Sequence, residues 1–214
     1  MIYKFEDLKE LFEKINEKLD EKVSLFIIGG AALLHHGVGK GYTKDVDVVF
    51  ENNKQFESYK NALEKLGFTI MRKPLTFDKL DIFAMLEKDE FRFDLFVKTV
   101  IKGFCLSKGM IERSEKVLEL KFLKVHICSK EDIVIFKSLS PDRQNDVEDS
   151  IDLIKRGVDW NIIYDELKVQ AELCDDKKRR KELIWYFIER INDLESRNVS
   201  VPVKGKVFEL FDQL

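Results

Sequence analysis

The sequence predicts an α+β protein: a mixed β-sheet flanked by helices, followed by a C-terminal helical extension. Three observations carry this. Up to about residue 128, short apolar or alternating segments bounded by glycines and polar turns are interleaved with amphipathic helical ones. From residue 129 onward the periodicity is helical, and cap signals mark fresh starts. With 214 residues, 44% of them hydrophobic and 17 of them Phe, the chain can bury one substantial core and a smaller helical part. The expected domains are therefore an α+β region, 1–128, and a helical region, 129–214.

Element by element, residues 5–21 place Phe5, Leu8, Leu11, Phe12, Ile15 and Leu19 on one helical stripe. SLFIIGG (24–30) reads as a buried strand ending in a glycine pair, and AALLHHG as a helix stopped by Gly37. After the loop VGKGYTK comes a second strand, DVDVVF (45–50). Residues 53–66 are helical and closed by Gly67, and FTIMRK (68–73) is a further strand. LDIFAMLEKDEFRFDLFV (80–97) reads as two strands around the turn Lys88-Asp89-Glu90, and KVLELKFLKVHICS holds one or two more. Ser129 opens a capping box with Asp132, Ser140-Pro141 starts another helix, and Asp159 and Asp175 open two more, the last running to about Leu194.

Composition excludes several classes. No apolar run approaches the roughly 20 residues of a membrane-spanning helix, and the charged N-terminus has no signal-peptide core, so a cytoplasmic protein without membrane contact is expected. Cys105, Cys128 and Cys174 lie far apart with no C-x-x-C pair, against structural zinc or a disulfide framework. A net charge of −3 gives no global nucleic-acid footprint. The run Lys177–Lys181 could bind RNA phosphates, but such a run is more often the solvated start of a helix; Trp185, Tyr186 and Phe187 after it read as a core stripe. His35, His36 and His126 read as packed or solvated.

The chemistry gathers in GGAALLHHGVGKGYTKDVDVVF (29–50). Backbone N–H groups at Gly29-Gly30, where a strand leads into a helix, can cradle a phosphate. Asp45 and Asp47, two apart on a strand, share one face, with Val46 and Val48 on the other. Carboxylates so close repel each other unless a cation sits between them. In FRFDLFV, Phe93 and Leu95 point one way and Asp94 the other. If that strand lies beside DVDVVF, three carboxylates converge on a site for Mg²⁺ or Mn²⁺. Two such ions stand about 3.5–4 Å apart in phosphoryl and nucleotidyl transfer. Each feature alone has a plainer account: a tight turn, a solvent face, and for Asp94 an edge-strand charge paired with Arg92. Together they are harder to dismiss, because Asp is depleted in strands.

The pattern of Gly29-Gly30, Asp45-Val46-Asp47 and Asp94 resembles the nucleotidyltransferase superfamily related to DNA polymerase beta. Within it, IIGGAALLHHG…TKDVDVVF is most similar to small stand-alone prokaryotic proteins that include abortive-infection toxins. SKEDIVIFKSLSPDRQNDVEDSIDLI also looks like that group. The resemblance covers roughly residues 24–156. It implies the nucleotidyltransferase fold, an NTP substrate, a divalent metal on Asp45, Asp47 and Asp94, and an acceptor that is RNA (such as tRNA), a protein or a small molecule, with an antitoxin as a candidate partner. It also implies that Lys137 and Asp146 belong to the catalytic site and that Arg143 lies near the nucleotide. Lys40 and Lys44 stand where relatives often carry Arg, and Ala31 replaces the hydroxyl of the Gly-Ser form. Lys137 is expected to reach from the edge of its helix's apolar face toward the carboxylate site, where removing it would barely change stability; the plainer alternative is a solvated lysine or one paired with Asp142 or Asp146. The rival readings are a catalytically silent protein of this fold that binds a nucleotide or partner, and an RNA-binding module using Lys177–Lys181.

Overall fold

Strand parity becomes a sheet with one oily and one charged patch. In the computed structural model, residues 1–3, 5–39, 41–74, 80–101, 103–139 and 143–214 are described. The strands are β1 (Val23–Ile28), β2 (Asp45–Phe50), β3 (Thr69–Met71), β4 (Leu80–Lys88), β5 (Phe91–Ile101), β6 (Phe104–Cys105), β7 (Glu115–Glu119) and β8 (Leu123–Ile127). They form one sheet in the order β3-β4-β5-β2-β1-β8-β7, with β6 paired to β5. β2–β5 and β1–β8 are parallel and the other neighbours antiparallel, so the sheet is mixed.

The chain divides into two compact units, Met1–Cys128 and Ser129–Leu214. The first holds the whole sheet with α1 (Lys9–Lys18), α2 (Gly29–His35), α3 (Asn53–Lys65) and α4 (Lys108–Arg113). In the second are α5 (Lys130–Ser138), α6 (Gln144–Lys155), α7 (Trp160–Leu173), α8 (Lys177–Ser196) and α9 (Lys204–Gln213).

In the first unit α3 begins at Asn52, whose side chain accepts from the Gln55 N–H. It presents Phe56 and Tyr59 to the sheet, where Tyr59 meets Phe50 and Phe93 at ring-centroid distances of 5.3 and 5.9 Å. Phe68 adds a second edge contact to Phe93 at 5.6 Å. Val46 and Val48 stand opposite Phe93 and Leu95 in register, and all four are fully buried. Val46, Val48, Phe93 and Leu95 thus occupy one face, and Asp45, Asp47, Arg92 and Asp94 the other, which further along the strands also carries the buried pair Val49 and Phe96.

Several boundaries differ from the sequence reading for identifiable reasons. Gly29 and Gly30 do not end a strand; they open α2. The first helix begins as a 3-10 turn, Phe5–Leu8. α8 is capped by Asp176, one residue beyond the expected Asp175, because the Asp176 carboxylate accepts from the Arg179 N–H. Ser129 and Asp159 cap α5 and α7 as their positions suggest. Ser140, Pro141 and Asp142 lie outside the described residues. β6, α4 and α9 are additions to the elements expected from the sequence; β6 has only two residues and α4 six. Trp185 is 47% exposed, not in a core stripe, whereas Phe187, two residues further along α8, is fully buried. No helix among the described residues is long and apolar enough to cross a membrane.

Phe93, buried under Tyr59 and Phe68, tests the apolar face. Phe93→Ala should lower the unfolding free energy by about 3–5 kcal/mol, the usual range for deleting a core aromatic, read from urea denaturation.

Candidate functional site

The candidate site is a charged square on β2 and β5. In the parallel register Asp45 stands opposite Arg92, and Asp47 opposite Asp94. The Arg92 guanidinium bridges the square: Nη2 lies 2.6 Å from Asp45 Oδ2 and donates to Asp94 Oδ2 at 3.1 Å, while Nε donates to Asp94 Oδ1 at 2.9 Å. The expected strand adjacency is present, and with it Asp45, Asp47 and Asp94 share one face. Arg92 entered the sequence reading only as a competing partner for Asp94. Its i, i+2 spacing from Asp94 was the available signal. Nor is Asp94 an edge charge: β5 runs between β2 and β4, and the side chain is 4% exposed. Burial pushes the Asp94 carboxyl above its usual range, Arg92 pulls against that, and the Asp45 charge adds to it.

Glycine is required at 29 and 30 by the protein's own side chains. Gly29 has φ +62°, and a Cβ there would lie 2.0 Å from Asp47 Oδ2. The reason is register: Ile28 pairs with Asp47 across β1 and β2, so the next residue turns directly over the carboxylate. A Cβ on Gly30 would meet Thr43 Oγ1 at 2.7 Å. That hydroxyl donates to the Asp45 carbonyl at 3.1 Å and accepts from the Asp45 N–H at 3.3 Å, holding the start of β2. The expected open approach for a phosphate is thus filled, on the Cβ side of both glycines, by Asp47 and Thr43.

The donor set suits a hard divalent cation, which takes carboxylate oxygens. Among the described residues no three such side chains stand in ligating geometry. Two of the three carboxylates face the Arg92 guanidinium instead. The residues fit a metal in their chemistry and in sharing one face of the sheet, while their oxygens are turned to Arg92 rather than gathered around a common point. Beside the square opens a cleft of about 310 Å³ lined by Lys44, Asp45, Arg92, Glu87, Glu90 and Phe91 among others. Lys44 is exposed at its rim. Lys40 lies outside the described residues.

The second unit holds its own charged cluster. Lys137 Nζ donates to Asp146 Oδ1 at 2.7 Å and to Asp149 Oδ2 at 2.8 Å, and its side chain is only 14% exposed. Lys137 thus pairs with Asp146, one of the partners the plainer alternative allowed, and is not the exposed lysine whose loss would barely change stability. Burial alone would lower the Lys137 pKa, yet Asp146 and Asp149 outweigh it and hold the ammonium above the ordinary lysine value. Arg143 precedes α6 and is mostly exposed, with Nε 3.6 Å from Asp146 Oδ2. Asp149 was not singled out from sequence, although Asp146 and Asp149 at i, i+3 share a helix face.

The histidines have ordinary partners. His35 Nε2 lies 3.0 Å from Glu115 Oε2, His36 Nε2 2.9 Å from the Cys128 carbonyl, and His126 Nδ1 3.1 Å from Ser114 Oγ. Cys105, Cys128 and Cys174 are not in disulfides, and the latter two are buried.

Comparison with known proteins places this geometry in context. A family model described as "Nucleotidyltransferase of unknown function (DUF6036)" matches residues 6–195. Among solved structures, the crystal structure of ANT(2")-Ia in complex with adenylyl-2"-tobramycin is similar in fold, with a TM-score of 0.51. The two are 16% identical, over 77% of this chain and 98% of that one. An antigenic nucleotidyltransferase-like protein from Paracoccidioides brasiliensis is 18% identical over 90% of this chain and 87% of that one, at a TM-score of 0.46. JHP933 from Helicobacter pylori is 13% identical over 91% and 94%, at 0.37. No curated protein matches the chain.

Two substitutions test the local geometry. Gly29→Ala should destabilise by about 1–3 kcal/mol from the left-handed backbone alone, with displacement of Asp47 added; calorimetry against Gly205→Ala, where a Cβ meets nothing within 4 Å, isolates the effect. Lys137→Ala should cost about 3–5 kcal/mol, because it strands two poorly exposed carboxylates. The sign follows from the raised pKa: this stabilisation is complete below the ordinary lysine pKa and fades only as pH climbs through the higher folded value. Denaturant melts at pH 7 should show the full loss.

Proposed function

The chain belongs to a family of nucleotidyltransferases of unknown function, and on that premise we propose that the square on β2 and β5 is its metal-dependent transfer site. The reaction is transfer of a nucleoside monophosphate from an NTP to an acceptor hydroxyl, with release of pyrophosphate. The observation that supports this best is the register pairing Asp47 with Asp94, with Asp45 on the same face. Three carboxylates so placed, one of them almost fully buried, are a donor set that suits a divalent ion such as Mg²⁺ or Mn²⁺.

In this reading Asp45 and Asp47 hold the metal together with Asp94. When bound, the metal supplies charge neutralisation for the phosphates and for the attacking oxygen. Asp94, whose carboxyl is pushed up by burial, also suits acceptance of the acceptor hydroxyl's proton. Thr43 fixes Asp45 through its backbone, and Gly29 lets Asp47 approach closely. Gly29 and Gly30, at the start of α2, are assigned to the phosphates on the resemblance alone. Lys44, at the rim of the 310 Å³ cleft, suits the same anion, and Lys40 is assigned there on the resemblance alone. Lys137, Arg143 and Asp146 are kept as candidates on the same basis. Lys137→Arg, which retains the charge, tests them apart from stability. The acceptor is RNA, a protein or a small molecule, and an antitoxin partner belongs to the same proposal.

The test is an assay with each α-labelled NTP, Mg²⁺ or Mn²⁺, and total RNA or protein extract as acceptor. Wild type should transfer label and release pyrophosphate. Asp45→Ala and Asp94→Ala should each lose about a hundredfold or more, the scale of removing a main electrostatic stabiliser. Equal transfer by wild type and Asp45→Ala would sink the assignment, and no transfer with any NTP would favour a silent nucleotide-binding protein.

A further inference from the structure

We propose that Arg92 is a resident counter-cation that competes with the divalent metal for Asp45 and Asp94, so that metal uptake and release of Arg92 are one exchange. The inference rests on the metal reading given above and adds a residue which that reading does not use.

The geometry carries it. One guanidinium engages both oxygens of Asp94, at 2.9 and 3.1 Å, and Oδ2 of Asp45 at 2.6 Å. Those oxygens are the ones a metal shared by the two aspartates would need, and an N–H donor and a metal ion compete for the same lone pairs. The arrangement is built into the strand pairing: Arg92 stands opposite Asp45 and two residues before Asp94, so its stem emerges between the two carboxylates. Its backbone is held as well, because the Arg92 N–H donates to the Lys44 carbonyl at 3.2 Å.

Repulsion gives the exchange its purpose. Three carboxylates on adjoining strands, one of them almost fully buried, oppose each other whenever no cation lies among them. Arg92 offsets that repulsion and lets the sheet form before any metal arrives. It need not block the site afterward. The side chain already lines the 310 Å³ cleft alongside Lys44, and a long, jointed stem can swing its head into that space while its Cα stays in the strand. There the guanidinium would meet the anionic part of a substrate with the fork geometry that phosphate groups favour.

The prediction is opposite in sign to that for a residue that merely supports the fold. Losing a supporting partner of a metal ligand weakens metal binding, by about 10–100-fold in well-studied sites; losing a competitor strengthens it. Mn²⁺ titration of the full chain without nucleotide, followed by electron paramagnetic resonance, reads the difference. Arg92→Gln should bind Mn²⁺ about tenfold or more tightly than wild type, on the same scale. Saturating Mn²⁺ should also raise its melting temperature more than it raises that of wild type. Arg92→Lys keeps a positive charge but cannot fork across both carboxylates, and should lie between the two; it decides the matter if Arg92→Gln fails to fold. Binding by the variants at wild-type strength or weaker overturns the exchange and leaves the metal site standing. If neither wild type nor variant binds Mn²⁺, the metal reading fails, and the exchange falls with it.

Discussion

Everything at the candidate site depends on the register of one parallel strand pair. β2 and β5 both alternate apolar with polar residues, and α3 covers only one of their two faces. Burying Val46, Val48, Phe93 and Leu95 against that helix leaves Asp45, Asp47, Arg92 and Asp94 on the opposite face in a two-by-two array. A slip by one residue in β5 would turn Phe93 and Leu95 toward the charged face and drive Arg92 and Asp94 into the aromatic core. Hydrophobic burial therefore enforces the clustering of like charges, a state that the charges alone would resist.

That enforced proximity has to be offset, and both units of the chain do so in the same way. In the first, an arginine fork spans Asp45 and Asp94. In the second, the Lys137 ammonium spans Asp146 and Asp149, tying the end of α5 to α6. The two arrangements differ in depth and freedom. Lys137 is 14% exposed between two helices, where a paired ammonium is held in place by the cost of leaving its carboxylates uncompensated. Arg92 borders an open cleft, and its longer side chain has somewhere to go. The same electrostatic remedy thus serves as a fixed brace in one unit and, in the proposed reading, as an exchangeable one in the other.

The glycine pair shows how a motif's meaning changes once its neighbours are known. Gly-Gly before a helix suggests room for a ligand's phosphate. Here the Cβ positions of Gly29 and Gly30 point at Asp47 and Thr43. The glycines let β1 turn into α2 directly over the carboxylate that pairs across the sheet with Ile28. Their first service is to the acidic face itself.

By itself the sequence determined those features that depend on residues close along the chain. Strand alternation put Asp45 and Asp47 on one face and Asp94 opposite Phe93 and Leu95, and local side-chain chemistry marked Ser129 and Asp159 as caps. It also carried enough of the glycine and aspartate pattern to suggest the family to which the chain belongs. Only the tertiary structure decided what sits beside what: that β5 joins β2 in parallel with Asp47 against Asp94, that Arg92 bridges the carboxylates, that Lys137 is buried between two aspartates, and that Trp185 faces outward. The division has a physical cause. Periodicity fixes which way a side chain points from its own element, a matter of neighbouring backbone dihedrals. Its partner is chosen by the packing of elements distant in sequence, where burial of many apolar groups at once outweighs the preference of any single charge.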